Sequence, residues 1–322
     1  MRIVVEPLQG LSSVFLREPS SVVTLTGRVT GKDCAVPSFV KGRHYAENFG
    51  KQWARFQDIQ LDSKNGTSIS KDYLEQLIGC RLRELAGKTV LEIGAGAGRF
   101  TEHFVRHARF VVAVDLSDAI FVNAALGANN LVAAQADLLD MPMMTRKFDL
   151  VYCRGVLQHT PDPEQSIALL HRWVEPTGFV AFDIYPPGTL RKCGAKYVLR
   201  AVIQRLFTYD SFLAFLEQHA EWLLRLRWKV KPFLPWKTKQ LLDFLVPVYD
   251  YRGLLPLRDG QLIEWGKLDT LDAMFAQYDN PMGYEEVIAL LRGLHCRVLS
   301  SDPRMNFFRT TVTPECFHET AG

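Results

Sequence analysis

A chain of 322 residues with 48% hydrophobic side chains can bury a sizeable core, as one large domain or as a core with an appendage. Its net charge of +3 is too mild to announce nucleic acid, and no apolar run approaches a membrane span or a signal-peptide core. The six cysteines (Cys34, Cys80, Cys153, Cys193, Cys296 and Cys316) form no C-x-x-C pair. Neither a zinc site nor a disulfide framework is indicated, and a reducing cytoplasm is the default compartment.

Residues 1–45 carry few periodic signals and read as an irregular N-terminal appendage. Tyr45 to Phe56 is rich in aromatics and reads as a helix, and a polar loop and a helix from about Lys71 to Leu85 follow. An alternating series then begins: strand Thr89–Ile93, a glycine loop to Gly98, amphipathic helix Arg99–Ala108, and strands Phe110–Val114, Leu131–Ala136 and Phe148–Tyr152. Asp162-Pro163 opens the next helix, with Asp162 as its cap and Gln165 completing the capping pattern. Gly178–Ile184 is a fifth strand. Residues 189–245 break the rhythm with basic, aromatic-rich helical sequence. After about Trp265 the core resumes with helix Tyr284–Gly293 and a hairpin of Cys296–Ser300 and Phe307–Val312.

Strands alternating with helices predict an α/β fold. It is a Rossmann-like, doubly wound, mostly parallel seven-stranded sheet with a closing antiparallel hairpin and a helical insertion. The expected domains are an appendage over 1–45, the nucleoside-binding core over 46–188, the basic insertion or lid over 189–265, and the completion of the core over 266–322.

In a parallel sheet, ligands bind beyond the carboxyl ends of the strands. Here Glu92 precedes glycines at Gly94, Gly96 and Gly98. A dinucleotide fingerprint starting at Gly94 ends on Arg99, where helix–strand packing wants a small residue. Asp115 closes the second strand and Asp137 the third. A carboxylate at Asp115 can accept both hydroxyl protons of a ribose.

The runs Val90-Leu-Glu-Ile-Gly-Ala-Gly-Ala-Gly-Arg-Phe-Thr, Val114-Asp-Leu-Ser, Ala136-Asp-Leu-Leu, Phe148-Asp-Leu-Val-Tyr and Gly155-Val-Leu-Gln-His-Thr-Pro-Asp-Pro carry a resemblance. They resemble class I S-adenosylmethionine-dependent methyltransferases, in particular the large bacterial type 11/12 group, over about 89–188. The resemblance implies S-adenosylmethionine as cofactor, cradled by Glu92, Gly94, Ala95, Gly96 and Gly98. It puts Asp115 and Leu116 at the ribose, Asp137 and Leu138 at the adenine, and Arg154 nearby. Phe49, Gln52 and Trp53 resemble the segment that closes over the cofactor. Arg99 reaches for the ligand carboxylate or caps the sheet edge. Gly31-Lys-Asp-Cys34 resembles a degenerate zinc-ribbon remnant; with one cysteine, no zinc is expected.

Methyl transfer is an in-line displacement from a good leaving group, so positioning supplies much of the catalysis, and an oxygen nucleophile adds the need for a base. His159 is the first candidate base, against a reading in which it only packs over the cofactor. Tyr185 and Asp183 end the fifth strand, and either can face the acceptor. Tyr278 and Asp279 are candidate substrate contacts. Cys153 reads as a small buried residue.

The segment 189–240 holds eleven Lys/Arg against three Asp/Glu and leaves the rest of the chain acidic. Lys196, Arg200 and Gln204 fall on one stripe of a helix and Leu199, Ile203 and Phe207 on another. A helical cap with a solvated basic face and a lid at an anionic membrane surface are the favoured readings. RNA is disfavoured, since no Asn/Asp-Pro-Pro-aromatic signature follows the fourth strand.

The expected function is methyl transfer to a small-molecule acceptor: a glycan precursor, a lipid-linked compound or a natural-product intermediate. A non-catalytic cofactor-binding scaffold, an RNA or protein methyltransferase, and a nicotinamide oxidoreductase are the competing readings.

Overall fold

A series of short apolar strands builds a nine-stranded sheet in the computed structural model, which describes residues 14–26, 33–42, 44–145, 147–187 and 199–313. Two units are distinguished: residues 1–54, 70–187 and 277–322, and residues 55–69 and 188–276. The sheet belongs to the first.

Its strands are β1 (Ser21–Thr26), β2 (Asp33–Ser38), β3 (Thr89–Ile93), β4 (Phe110–Asp115), β5 (Leu131–Gln135), β6 (Phe148–Cys153), β7 (Val174–Asp183), β8 (Cys296–Asp302) and β9 (Phe307–Val312), in the order β1-β2-β5-β4-β3-β6-β7-β9-β8. From β5 to β7 all neighbours are parallel, and β9 pairs antiparallel with both β7 and β8. The expected mixed sheet and closing hairpin are therefore present. The chain winds outward from β3 through β4 and β5, then resumes on the other side of β3 with β6. That reversal opens a crevice at the carboxyl ends of β3 and β6.

The apolar runs are continuous because both faces of the sheet are covered. On one face Val90, Val111, Leu150 and Tyr152 pack against helices α2 (Ile69–Ile78) and α3 (Thr101–His107). Phe100 and Phe104, one turn apart, both meet the ring of Tyr152 edge-on, at 5.2 and 5.3 Å. On the other face Leu91, Val112, Val151 and Phe182 join Ile167, Leu170 and Leu291. Each such fully buried aliphatic side chain contributes about 1.5–3 kcal/mol.

The N-terminal region differs from expectation. Within 1–45, β1 and β2 form an antiparallel hairpin, and β2 adds to the sheet parallel to β5. Their alternation is masked in the sequence because only part of each strand is buried (Val22, Val36). The Gln135 side chain accepts from Ser38 Oγ at 2.7 Å and donates to Leu116 O and Asp118 Oδ1. Phe39 N donates to Gln135 O at 2.8 Å. This joint brings Phe39 to the end of β5. Cys34 lies in β2 with its thiol toward the carbonyls of Leu25 and Ala124, whereas Gly31 and Lys32 of the suggested zinc-ribbon remnant lie outside the described residues. Helix α2 is shorter than expected: it ends at Ile78 because Gly79 takes φ +66°, and a separate 3-10 turn covers Leu82–Leu85.

Helix α5 (Pro163–Trp173), which follows α4 (Ala119–Ala124), starts as its sequence predicts, with Asp162 Oδ1 accepting from Gln165 N at 2.9 Å. Near its end, buried His171 donates from Nδ1 to Ile167 O and accepts at Nε2 from Thr310 Oγ1, both at 2.8 Å. Burial lowers its pKa to about 4, against the favourable bond to Ile167. The unfolded chain takes up a proton below about pH 6.5, and the folded one only near pH 4. Stability therefore falls as pH drops through this window, by about 3 kcal/mol. Urea unfolding of the wild type and His171→Gln from pH 7 to 4 tests this. The variant is expected to lose that share of the slope; parallel curves would contradict it.

The second unit is helical, with α6 (Tyr209–Val230), α7 (Trp236–Leu245) and α8 (Asp259–Phe275). Thr208 caps α6 through Ser211 N. Arg200 and Gln204, expected on one stripe of an amphipathic helix, donate to the carbonyls of Ala276 and Met274 at the end of α8. Those carbonyls have no partner within their helix, and a cation there also suits the helix dipole. Lys196 lies outside the described residues. Among the described residues no helix is long and apolar enough to cross a membrane.

Candidate functional site

The glycine loop joins β3 to α3 in the crevice where the winding reverses. Gly94, Gly96 and Gly98 all have positive φ, at 71°, 50° and 103°. A Cβ at Gly94 would lie 2.0 Å from Val156 Cγ2, so the loops after β3 and β6 touch there. Gly94 N and Ala95 N both donate to Val114 O, tying the loop to β4.

Asp115 then takes over. Its Oδ2 accepts from Gly96 N at 2.8 Å, and its Oδ1 accepts from both the amide and the hydroxyl of Ser117 at 2.7 Å. Burial raises its pKa, and the bonds from Ser117 and Gly96 oppose that rise. A carboxylate offers about four acceptor directions. Three are filled, so one remains on Oδ2. The expected double acceptance from a ribose requires the Ser117 hydroxyl to turn away.

Glu92 lies beneath the loop, fully buried on the α3 side. Its Oε2 accepts from Thr101 Oγ1 at 2.6 Å, and Thr101 in turn accepts from Asn123 Nδ2 at 2.7 Å. Glu92 Oε1 has no hydrogen-bond partner among the described residues. Burial pushes the Glu92 pKa up to about 8, with the Asp115 charge adding and the Thr101 bond opposing.

The third acid, Asp137, accepts at Oδ1 from Leu139 N at 2.9 Å and from Tyr45 Oη at 3.0 Å. Desolvation, chiefly, and the nearby Asp137 carboxylate hold the Tyr45 hydroxyl far above its usual range, so it stays a donor. Tyr45 meets Tyr278 edge-on at 5.4 Å. Around them lies a cavity of about 610 Å³ lined by His44, Tyr45, Leu116, Asp137 and Tyr278.

Helix α1 (Glu47–Arg55) covers the adjoining part of the crevice. A Cβ at its Gly50 would sit 3.2 Å from Asp118 N, and one at Gly96 would sit 3.5 Å from the Trp53 ring. Trp53 therefore lies over the glycine loop. Phe49, one turn earlier, packs at 5.2 Å on His159, whose other neighbouring ring is Tyr185 at 5.8 Å.

His159 follows β6 in a short 3-10 turn and is buried. Its Nδ1 is 2.9 Å from Tyr278 O. A carbonyl only accepts, so Nδ1 carries the proton and Nε2 is the basic nitrogen. Asn280 braces the same turn, with its amide on Gln158 O at 2.7 Å and its Nδ2 on Thr160 O at 3.0 Å. Asp279 is half-buried between these two contacts.

Arg154 pairs with Asp183 at 3.6 Å and lies over the rings of Tyr73, Phe100 and Phe307. Asp183 Oδ1 also accepts from Gly155 N at 2.6 Å. These contacts anchor the start of the β6–α5 loop, so Asp183 points into structure while Tyr185 is left facing outward. Arg99 donates from Nε to Ser70 Oγ at 3.0 Å and lies over Phe100, tying the loop to the start of α2. Leu116 and Leu138 are buried beside the acids they follow, and Cys153 is an inert buried thiol whose pKa burial raises.

Residues 91–182 match the family described as "Methyltransferase domain". The segment resembles a class I, S-adenosylmethionine-dependent methyltransferase domain. Curated relatives include the ubiquinone biosynthesis O-methyltransferase of Acinetobacter baylyi, 30% identical over 139 residues, or 40% of this chain and 58% of that protein. The Coxiella burnetii protein of the same name is 25% identical over 181 residues, or 51% of this chain and 75% of the relative. This chain thus spans 58% of the length of the Acinetobacter relative. Among solved structures, a methyltransferase from Mesorhizobium loti is 25% identical with a TM-score of 0.30, covering 32% of this chain and 50% of that one.

The methyltransferase domain fits its class cofactor on three observations. A buried Glu92 oxygen with no partner among the described residues lies beneath the loop and is left for a polar group of a ligand to satisfy. One acceptor direction remains on Asp115. Asp137 and the neighbouring cavity lie one strand further out. Sequence reasoning missed Tyr45 as a partner of Asp137 and Asn280 as the brace of His159. Both contacts span about a hundred residues, and neither lies in a recognisable spacing. The one signal was that Tyr45 opens the aromatic-rich stretch leading into α1.

Proposed function

We propose that the chain transfers a methyl group from S-adenosylmethionine to a hydroxyl of a small molecule. The observation that carries this reading is the Asp115 carboxylate at the end of β4, which orders the glycine loop through Gly96 and keeps one acceptor direction open under the cover of Trp53. Bound, the cofactor supplies a methyl group activated on a sulfonium. In this reading Glu92, Gly94, Ala95, Gly96 and Gly98 cradle it, Asp115 and Leu116 hold the ribose, and Asp137, Leu138 and Tyr45 hold the adenine. Arg154 supports the site from behind through Asp183.

His159 takes the acceptor proton at Nε2, while Tyr278 O keeps the ring in the required tautomer. Tyr185 and Asp279 border the acceptor, and Phe49 and Trp53 exclude water above it. The hydroxyl acceptor is supported by relatives described as O-methyltransferases. Glycan precursors, lipid-linked compounds and natural-product intermediates are the acceptor classes proposed. A position at an anionic membrane, contacted through 189–240, belongs to the same reading.

Transfer of labelled methyl groups to a panel of phenols and sugar alcohols tests it. His159→Ala is expected to lower kcat by roughly 100-fold while leaving S-adenosylhomocysteine affinity near that of the wild type. Unchanged turnover would remove His159 from the chemistry.

A further inference from the structure

The second unit carries a surface that its own core does not use. Along α6, Phe212, Leu216, Ala220 and Leu224 are buried at four-residue spacing. Trp222, Leu226 and Val230 repeat at the same spacing two residues out of step, about 200° around the helix, and are 52%, 50% and 37% exposed. The stripe continues past the helix end. Phe233 is 88% exposed in the turn after Pro232, and Trp236, the first residue of α7, is 71% exposed.

The charge here is one-sided. Residues 222–239 contain six Lys/Arg and no Asp/Glu, whereas residues 209–221 of α6 carry Asp210, Glu217 and Glu221. Arg227 is buried against Asp243 and Asp250, and Lys231 also meets Asp243. Arg225 pairs with Glu221 on the rim. Lys229, Lys237 and Lys239 have no acidic partner among the described residues. Exposed aromatic and aliphatic side chains therefore alternate with unneutralised ammonium groups on one face.

We propose that residues 222–239 dock on an anionic phospholipid surface, with Phe233 and Trp236 entering the headgroup layer and Lys229 and Lys237 pairing with lipid phosphates. This narrows the membrane contact of the preceding reading to a defined surface, and it is read without turnover. Aromatic rings beside lysines suit the boundary between headgroups and acyl chains. A second copy of the chain is disfavoured because two such faces repel. RNA is disfavoured because the most exposed aromatic, Phe233, is 88% exposed in a turn flanked by Pro232 and Pro235, whereas single strands are held by aromatics within a basic groove.

Flotation of the full chain with vesicles of phosphatidylglycerol and phosphatidylcholine tests the proposal, with phosphatidylcholine vesicles and single-stranded RNA as alternative probes. Binding is expected to the anionic vesicles alone and to weaken with salt. Phe233→Ser with Trp236→Ser, and separately Lys229→Glu with Lys237→Glu, are each expected to weaken binding by roughly tenfold. Neither pair should change the melting temperature or the affinity for S-adenosylhomocysteine. Failure of the wild type to float, equal binding to phosphatidylcholine, both variant pairs floating like the wild type, or capture of RNA without lipid would overturn it. Loss of vesicle binding alone would leave the methyl-transfer reading standing, and loss of nucleoside binding alone would leave this one.

Discussion

Asp115→Ala is expected to lower the affinity for S-adenosylhomocysteine by roughly 100-fold, or about 2.7 kcal/mol. The carboxylate is the acceptor for Gly96 N, Ser117 N and Ser117 Oγ, so its removal strips three donors at once. A buried donor left unpaired costs about 1–3 kcal/mol. The Gly96 amide is the one that fixes the loop's middle residue under Trp53. The lost ligand acceptor and the loosened loop both reduce affinity. Isothermal titration beside thermal melting separates the two contributions. A variant that melts below the wild type yet binds with unchanged affinity would show that Asp115 only shapes the loop.

Gly94→Ala is expected to destabilise the fold by about 2–5 kcal/mol. A methyl group there would lie 2.0 Å from Val156 Cγ2 and 3.1 Å from Val156 Cβ, an overlap no rotamer shift of an alanine relieves. The residue would also be held at φ +71°, which costs a non-glycine residue about 1–2 kcal/mol. Adding Val156→Ala removes the closer contact and should recover the steric part, leaving the backbone part. Urea midpoints for the two single variants and the double variant close the cycle. Strictly additive effects would mean that the loops after β3 and β6 do not meet as described.

The sheet was legible where each strand is buried on both faces. Thr89–Ile93 and Phe307–Val312 have the bounds their apolar runs predict. The β1–β2 hairpin was not legible, because its strands sit at the edge of the sheet and bury only scattered positions, so neither period emerges. The three acids of the candidate site were readable for a related reason. Glu92, Asp115 and Asp137 each end or nearly end a strand, and strand ends are fixed by local sequence. Tyr45 and Asn280 act across the fold, where no local spacing betrays them. In the insertion, Arg200 and Gln204 look like one stripe of an amphipathic helix, and only the packed structure reveals that they close the end of α8.

The pairing of Arg154 with Asp183 shows the same limit from the other side. Both were legible as polar residues at strand ends near the crevice. The rings of Tyr73, Phe100 and Phe307 that surround Arg154 come from three separate elements, and they turn the side chain toward the core.

Calorimetric titration of the wild-type chain with S-adenosylhomocysteine and with NADH addresses the nucleoside site most directly. Saturable one-to-one binding of S-adenosylhomocysteine, weakened in Asp115→Ala, with no heat from NADH, is the expected result; binding of NADH alone would contradict the reading of the Gly94–Gly98 loop.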